Sequence, residues 1–407
     1  MKCGLLGRKL GHSYSPQIHG LLGDYSYALF EKEPEDIGAF LKNGDWSGIN
    51  VTVPYKKDVI PYLDELSPVA QRLGAVNTIV RRNGRLIGHN TDYFGFLTMV
   101  RNSGLDIARK KVLVLGSGGA SNTAAAVLRQ LGGHVVVISR SGENNYLNLD
   151  LHKDASVIVN TTPVGMYPHA GSSPVDLDRF PKLEGVLDVV YNPARTQLLL
   201  DAQKRGLTAV NGLLMLVAQA KEAAEWFMGT QIDDSAIPAI HSRLRAEMEN
   251  IILIGMPGCG KSTVGQALAE KLGRQFADAD EVLVKQAGRS IPDIFADSGE
   301  HGFRLLETQT LADLGQRSGL VIATGGGCVT QEKNYPLLHQ NGTIFWLTRD
   351  IRKLPTDGRP LSQSNRLEEM YRIRKPLYES FADYTISNDS HVETVVEEIL
   401  RVWEVSH

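Results

Sequence analysis

The chain has 407 residues, 42% of them hydrophobic and 22% charged, with a formal net charge of −3 and three cysteines. That length is long for one core and comfortable for two or three domains. The near-neutral balance argues against nucleic acid or an anionic membrane as partner, three scattered cysteines (Cys3, Cys259, Cys328) argue against a disulfide framework, and no apolar run approaches the roughly 20 residues that span a bilayer. The apolar stretch after Met1 is too short for a secretory signal, so a reducing, cytoplasmic setting is expected.

Residues 1 to about 100 mix short apolar strands, Ile49–Val53 and Asn77–Val80 among them, with amphipathic helical stretches. From Lys111 the pattern changes to alternating buried strands and helices. Lys111–Leu115 is a strand, a helix starts near Ser121, and Val135–Ile138, Val157–Val159 and Val186–Val190 follow as strands. This is the rhythm of a doubly wound parallel sheet. Between its first strand and helix lies Gly116-Ser117-Gly118-Gly119-Ala120-Ser121, a variant of the dinucleotide-binding fingerprint. An NAD site usually places an acid about 20 residues on, for the ribose hydroxyls. Here the second strand ends in Ser139-Arg140-Ser141, and an arginine flanked by hydroxyls suits a 2′-phosphate, so NADP is favoured.

Leu213–Met228 reads as a long helix, and the junction over 230–250 has no Gly/Ser tract, with only Pro238 interrupting it. A flexible tether is therefore not expected, and the two halves should sit against each other. A second α/β pattern starts at the strand Asn250–Ile254. Gly255-Met-Pro-Gly258-Cys259-Gly260-Lys261-Ser262-Thr263 follows, and then a helix with Val264, Ala267, Leu268 and Leu272 on one face. Strand, glycine-rich turn and helix is the context in which backbone N–H groups wrap phosphates, with Lys261 neutralising charge and Ser262 holding Mg²⁺. Cys259 sits at that helix N-terminus beside Lys261, a place where a thiol can be activated, and also one that calls simply for a small residue.

The first 220 residues resemble the shikimate dehydrogenase family over the whole region. Gly11-His12-Ser13-Tyr14-Ser15-Pro16 is similar to its opening substrate loop, and Gly48-Ile-Asn50-Val-Thr52-Val-Pro-Tyr-Lys56 to its most specific segment. Gly74-Ala-Val-Asn77-Thr78 and Gly88-His-Asn-Thr91-Asp92 follow in order. Asn160-Thr161 through Met166, Asp188 through Tyr191-Asn-Pro193, and Asn211-Gly212 through Met215 to Gln219 complete the likeness. The resemblance implies Lys56 and Asp92 as catalytic residues, and Ser13, Ser15, Thr52, Asn77, Tyr191 and Gln219 as substrate contacts. It implies Gly116 to Ala120, Ser139 to Ser141, Thr161, Gly212 and Met215 as cofactor contacts. The residue types suit the chemistry: hydride reduction of a ketone leaves an alkoxide that Lys56 can protonate while Asp92 orients it. Departures from the family are Arg8-Lys9-Leu10 before the opening loop, Ala120-Ser121-Asn122 in the fingerprint, and a shortened segment between 20 and 48.

Residues 250–407 resemble shikimate kinase. Beyond the phosphate loop, the likeness rests on Asp278-Ala-Asp280 at a strand end, Gly299-Glu-His-Gly-Phe-Arg304-x-x-Glu307, Thr324-Gly325-Gly326-Gly327, Gly358-Arg359-Pro-Leu361 and Arg374-x-Pro-Leu-Tyr378. It implies Asp278 with Ser262 at the metal, Asp280 as orienting base, and Lys261 and Arg359 as catalytic charges, Arg359 coming from a lid. Arg304, Arg374 and Gly325–Gly327 would meet the substrate, and Gly258 to Thr263 the nucleotide, with Arg352 against the adenine. Two guanidinium forks suit one carboxylate.

Together these resemblances imply an α/β protein: an α/β substrate domain over 1–103, completed by helices of about 212–247, an NADP-binding Rossmann domain over 104–211, and a P-loop kinase-like parallel α/β domain over 250–407. The implied activities are NADPH-dependent reduction of 3-dehydroshikimate and phosphorylation of the shikimate 3-hydroxyl with ATP and Mg²⁺, consecutive steps of aromatic amino-acid biosynthesis. Small molecules are the expected partners, with no nucleic acid, no membrane, and the oligomeric state open. The alternatives are a catalytically silent metabolite sensor built from the same modules, and a quinate-directed dehydrogenase or small-acid kinase. Lys56, Asp92, Lys261, Asp280 and Arg359 together, with no basic DNA-binding segment, weigh against the sensor.

Overall fold

The computed structural model describes residues 1–11, 13–354 and 364–406, with backbone alone for 364–366 and 406. His12 and the expected lid segment Gly358–Leu361, with Arg359, lie outside the described residues. The chain divides into two compact units, Met1–Tyr191 with Leu198–Ser242, and Asn192–Gln197 with Arg243–His407. Among the described residues no helix is long and apolar enough to cross a membrane.

The first unit contains two sheets. One has six strands in the order Ser26–Glu31, Lys2–Gly7, Gly48–Val51, Thr78–Arg82, Arg85–His89, Glu65–Leu66, with parallel pairing at both ends and antiparallel pairing in the middle. Leu6, Ile49 and Ile79 from three of these strands are fully buried with Leu41 in one core. Each such aliphatic side chain contributes about 1.5–3 kcal/mol of burial free energy. The other sheet has five parallel strands in the order Thr208–Val210, Gly185–Asp188, Val157–Asn160, Lys111–Leu115, His134–Ile138. Val112 to Leu115 are all buried, the continuous apolar run that a strand covered on both faces requires. The strand order reverses between Val157–Asn160 and His134–Ile138, so the carboxyl end of Lys111–Leu115 opens onto the crevice where such sheets bind ligands.

Two helices of this unit, Asp92–Asn102 and Leu213–Met228, pack against each other at Gly95. A Cβ there would lie 2.6 Å from the Met215 carbonyl oxygen and 2.9 Å from Gln219 Cβ. Only glycine lets the two backbones approach this closely, and the approach brings Gln219 beside the start of the helix that carries Asp92.

The second unit is built on five parallel strands in the order Phe276–Asp278, Val321–Ala323, Asn250–Ile254, Gly342–Thr348, Tyr384–Ser387. Ile251 to Ile254 are fully buried, and Val264 and Leu268 of the helix Lys261–Leu272 cover them. The helix Ile291–Gly315 is broken at Gly299, whose φ of +66° starts a fresh helical turn just before Arg304.

Two expectations differ from the structure. Pro238 does not interrupt the junction: the helix Ala236–Met248 carries it in the first turn, where its missing N–H has no partner to lose. Asp280 is not on a strand. The strand ends at Asp278, and Asp280 lies in the first turn of the helix Ala279–Ala287, because the Asp278 carboxylate caps that helix by accepting from the Asp280 N–H at 3.0 Å.

Candidate functional sites

In the first unit the loop after Gly48–Val51 delivers Lys56, and the helix starting at Asp92 delivers the acid. Lys56 Nζ donates to Asp92 Oδ2 at 2.6 Å, with 27% and 14% of the two side chains exposed. The half-covered setting strengthens the pair relative to a surface one, and the helix N-terminus favours the carboxylate. The Val76 N–H holds the Lys56 carbonyl at 2.7 Å, tying the lysine loop to the segment that carries Asn77.

Behind this pair runs a buried network of neutral groups. Asn77 Oδ1 accepts from the Thr91 N–H at 2.7 Å, and Asn77 Nδ2 donates to Thr91 Oγ1 at 3.0 Å. Thr91 Oγ1 donates to Gln219 Oε1 at 3.4 Å, and Thr78 Oγ1 donates to Asn77 Oδ1 at 3.2 Å. Asn77, Gln219 and Asp92 are thus brought together. Ser13 and Ser15 are joined to each other, the Ser15 N–H donating to Ser13 Oγ at 3.2 Å. Tyr191 meets the ring of Tyr14 edge to face at 6.2 Å, and Thr52 is half-buried four residues before Lys56. Glu222, one turn beyond Gln219, was not singled out in the sequence. Its Oε2 is buried with no hydrogen-bond partner among the described residues, and burial pushes its carboxyl up to about 8, with Asp92 among the charges that act on it.

The turn Gly116–Ala120 leads into the helix Gly119–Gln130, whose N-cap Gly118 makes no side-chain cap hydrogen bond. Gly118 and Gly119 face open space where a side chain would stand, and Thr161 Oγ1, donating to the Leu115 carbonyl at 2.6 Å, holds the neighbouring strand end in place. An uncapped helix N-terminus beside an open cradle fits a pyrophosphate. The next strand ends at Ile138, so Ser139 and Arg140 follow it in the loop rather than closing it; Arg140 is exposed, and its charge acts on the half-buried Tyr146. Gly212 is the N-cap of the helix Leu213–Met228, and Met215 in its first turn packs against the core that holds Phe96 and Val114.

In the second unit Lys261 Nζ lies inside the glycine-rich loop, donating to the carbonyls of Gly255 at 2.9 Å and Met256 at 3.1 Å. Cys259 is fully buried, and Asn388 Nδ2 holds its carbonyl at 2.6 Å, so it acts as a small residue of the loop. Gly258, Gly260 and the exposed Thr263 complete the loop and the first turn of its helix. Ser262 Oγ donates to Asp278 Oδ2 at 2.6 Å, a hydroxyl and a carboxylate of the kind that hold Mg²⁺ together with phosphate oxygens. Among the described residues no group of three or more His, Cys, Asp or Glu side chains could hold a metal alone.

The turn Gly325–Gly327 is where the remaining groups converge. A Cβ on Gly325 would lie 2.8 Å from both Asp280 Oδ1 and Glu307 Oε1; one on Gly326 would press on Pro257 at 2.6 Å, and one on Gly327 would overlap the Arg304 guanidinium. The three glycines are needed because two carboxylates, a guanidinium and the loop at Pro257 all approach one backbone. Arg304 Nη1 donates to Glu307 Oε2 at 2.8 Å, and Arg374 Nη1 to the Gly326 carbonyl at 3.1 Å. Glu307 is 2% exposed and burial raises its carboxyl above the usual range. Its spacing from Arg304, three residues along a helix, was the available signal that it braces that arginine. The Tyr378 hydroxyl, to which the sequence gives no role, donates to the Gly326 carbonyl at 2.5 Å. Arg352 stands apart, 89% exposed and held by Asp350.

The family model for the shikimate dehydrogenase substrate binding domain matches residues 5–79, and the shikimate kinase model matches residues 257–404. A shikimate dehydrogenase (NADP(+)) of Clostridium beijerinckii is 35% identical over 269 residues, covering 60% of this chain and 98% of its own. Among solved structures, a chorismate mutase/shikimate 5-dehydrogenase fusion protein from Clostridium acetobutylicum aligns with a TM-score of 0.58 at 36% identity, covering 60% of this chain and 96% of that one. Shikimate 5-dehydrogenase from Thermus thermophilus in complex with NADP(H) and shikimate aligns at 0.55 and 32%, covering 60% and 99%.

Proposed function

Because the chain belongs to the shikimate dehydrogenase family over about its first 60% and carries a shikimate kinase domain after it, we propose that it performs two consecutive reactions, reduction of 3-dehydroshikimate and phosphorylation of the shikimate 3-hydroxyl. We read three domains, 1–103 completed by helices of about 212–247, 104–211, and 250–407, with the first two forming the dehydrogenase. The observation that carries the reading is the Lys56–Asp92 pair at 2.6 Å, and the Asp280–Arg304–Glu307 cluster extends it to the second step.

NADPH, when bound at Gly116–Ala120 with Arg140 toward its 2′-phosphate, supplies the hydride. Lys56 holds the proton destined for the substrate oxygen, and Asp92 keeps the ammonium aimed at it. Ser13, Ser15 and Tyr191 take the carboxylate end of the ring, and Asn77, Thr52 and Gln219 its hydroxyls. In the second domain Mg·ATP, when bound at Gly258–Thr263, supplies the phosphoryl group. Ser262 and Asp278 would hold the metal, and Lys261 turns from the loop carbonyls toward phosphate oxygens. Asp280 accepts the hydrogen bond of the 3-hydroxyl and orients it. Arg304, braced by Glu307, and Arg374 answer the carboxylate with two guanidinium forks. Arg359 is read as a further charge of this site from its sequence motif.

Mass-spectrometric detection of products from purified protein given 3-dehydroshikimate, NADPH and Mg·ATP tests both steps. Shikimate 3-phosphate formed with matched loss of NADPH and ATP is the expected result. Shikimate alone would remove the kinase half of the reading, and no product while substrates still bind would remove both halves.

A further inference from the structure

The strand Ser26–Glu31 contributes no motif and lies at the edge of its sheet. Ser26, Ala28, Leu29 and Glu31 are exposed; Tyr27 is half-buried and turned inward. Its ring stacks on His19 with centroids 4.1 Å apart and planes 10° from parallel. His19 is itself 1% exposed, and its Nδ1 lies 2.6 Å from the Tyr25 hydroxyl. The stack sets where the Tyr27 hydroxyl points. That hydroxyl donates to Asn50 Oδ1 at 2.8 Å, and the Ser15 hydroxyl lies within hydrogen-bonding reach of the same phenol.

Asn50, 5% exposed, is thereby fixed in one orientation: its oxygen faces Tyr27, and its Nδ2 donates to Thr78 Oγ1 at 3.1 Å and the Asn77 carbonyl at 3.4 Å. From Thr78 the network continues through Asn77 and Thr91 to Gln219, beside Asp92. One phenol therefore touches both halves of the substrate site, the serine loop read as the carboxylate end and the amide network read as the hydroxyl end. Burial keeps this phenol well above its ordinary titration range, so it remains a donor throughout the working pH range.

Resting on the dehydrogenase reading above, we infer that Tyr27 is a positioning residue for the substrate, its hydroxyl setting the spacing between Ser15 and Asn50. The test is Tyr27→Phe in the full chain, which keeps the stack on His19 and removes only the hydroxyl. KM for 3-dehydroshikimate is expected to rise about five- to tenfold, the effect of one neutral hydrogen bond, while kcat moves less than about threefold. KM for NADPH and the kinase rate of the same chain stay at wild-type values. A Ser15→Ala, Tyr27→Phe double variant is expected to cost less than the sum of the single variants, since both act on one contact.

Unchanged KM for 3-dehydroshikimate in Tyr27→Phe overturns the inference. So does a variant in which kcat and thermal stability fall while both KM values rise together, with full additivity in the double variant, since that marks a structural role alone. Failure of the wild-type chain to reduce 3-dehydroshikimate is a different result: it removes the underlying reading itself.

Discussion

The candidate sites of the two units are lined by different kinds of groups. Around the first, one ion pair, Lys56–Asp92, stands before a network of amides and hydroxyls: Asn50, Asn77, Thr78, Thr91 and Gln219. Around the second, Asp278, Asp280, Glu307, Arg304, Arg374 and Lys261 converge on one phosphate loop and one glycine turn. The difference follows the proposed chemistry. Reducing a ketone develops a single charge, on one oxygen, and one protonated lysine meets it. Transferring a phosphoryl group moves several negative charges at once, and only an array of fixed cations, metal-holding oxygens and an orienting carboxylate can match them. Each site nevertheless keeps one carboxyl that burial holds up, Glu222 in the first and Glu307 in the second. Glu307 has an arginine to brace, whereas Glu222 has an orphaned oxygen.

The largest test of this contrast removes the central group of each site in turn. Lys56→Ala is expected to lower the dehydrogenase rate by about 10²–10⁴-fold and Asp280→Asn the kinase rate by a similar factor, each leaving the other activity intact. Paired steady-state assays on the same preparation check both. If either substitution lowered both rates, the sites would not be chemically separate. Next in size is Arg304→Lys, which keeps the charge and loses the fork. KM for shikimate in the kinase assay should rise about tenfold or more with a smaller change in kcat. A KM left alone would mean the second site reads charge and not geometry. Arg140→Ala sharpens the cofactor side, with an expected rise of about tenfold in KM for NADPH and little change for NADH, measured by initial rates.

The remaining expected effect is in stability rather than in rate. Glu222 ordinarily titrates near 4.5 and is pushed to about 8 in the fold. Between those values the folded chain keeps a proton that the unfolded chain releases, so stability falls as pH rises through the window. Glu222→Gln should therefore be nearly neutral at pH 5 and gain a few kcal/mol by pH 8, read from thermal unfolding against pH. His19, held down to about 3 by burial, acts in the opposite sense: the unfolded chain binds the proton first, and stability is lost as pH falls below 6.5. A pH-independent difference between Glu222→Gln and the wild type would show that the Glu222 carboxyl is solvated.

Local sequence alone determined the elements that carry chemistry on a single turn. The runs Lys111–Leu115 and Asn250–Ile254, each followed by glycines and a helix, announced two parallel-sheet domains and two phosphate cradles, because apolar runs and glycine-rich turns act within a few residues. The resemblance placed Lys56 and Asp92 in one site although 36 residues separate them. What local pattern missed is equally specific. Tyr27 sits on an edge strand with no motif, Asn50 lies in the segment that carries Lys56 with no role of its own legible there, and Glu222 follows Gln219 by one helical turn on a stretch that reads as an ordinary amphipathic helix. Glu307 belongs to the motif that carries Arg304, but only the fold shows Gly325 and Arg304 closed around it. In sequence Asp280 reads as the end of a strand, because an apolar run does not reveal that Asp278 will cap the next helix. Sequence determines which groups are present and which neighbours they have along the chain. Tertiary structure alone decided which of them lose water and meet across it: burial turned Glu222 and Glu307 from solvated acids into perturbed ones, and close packing at Gly95 and Gly325–Gly327 set the distances on which the proposed chemistry depends.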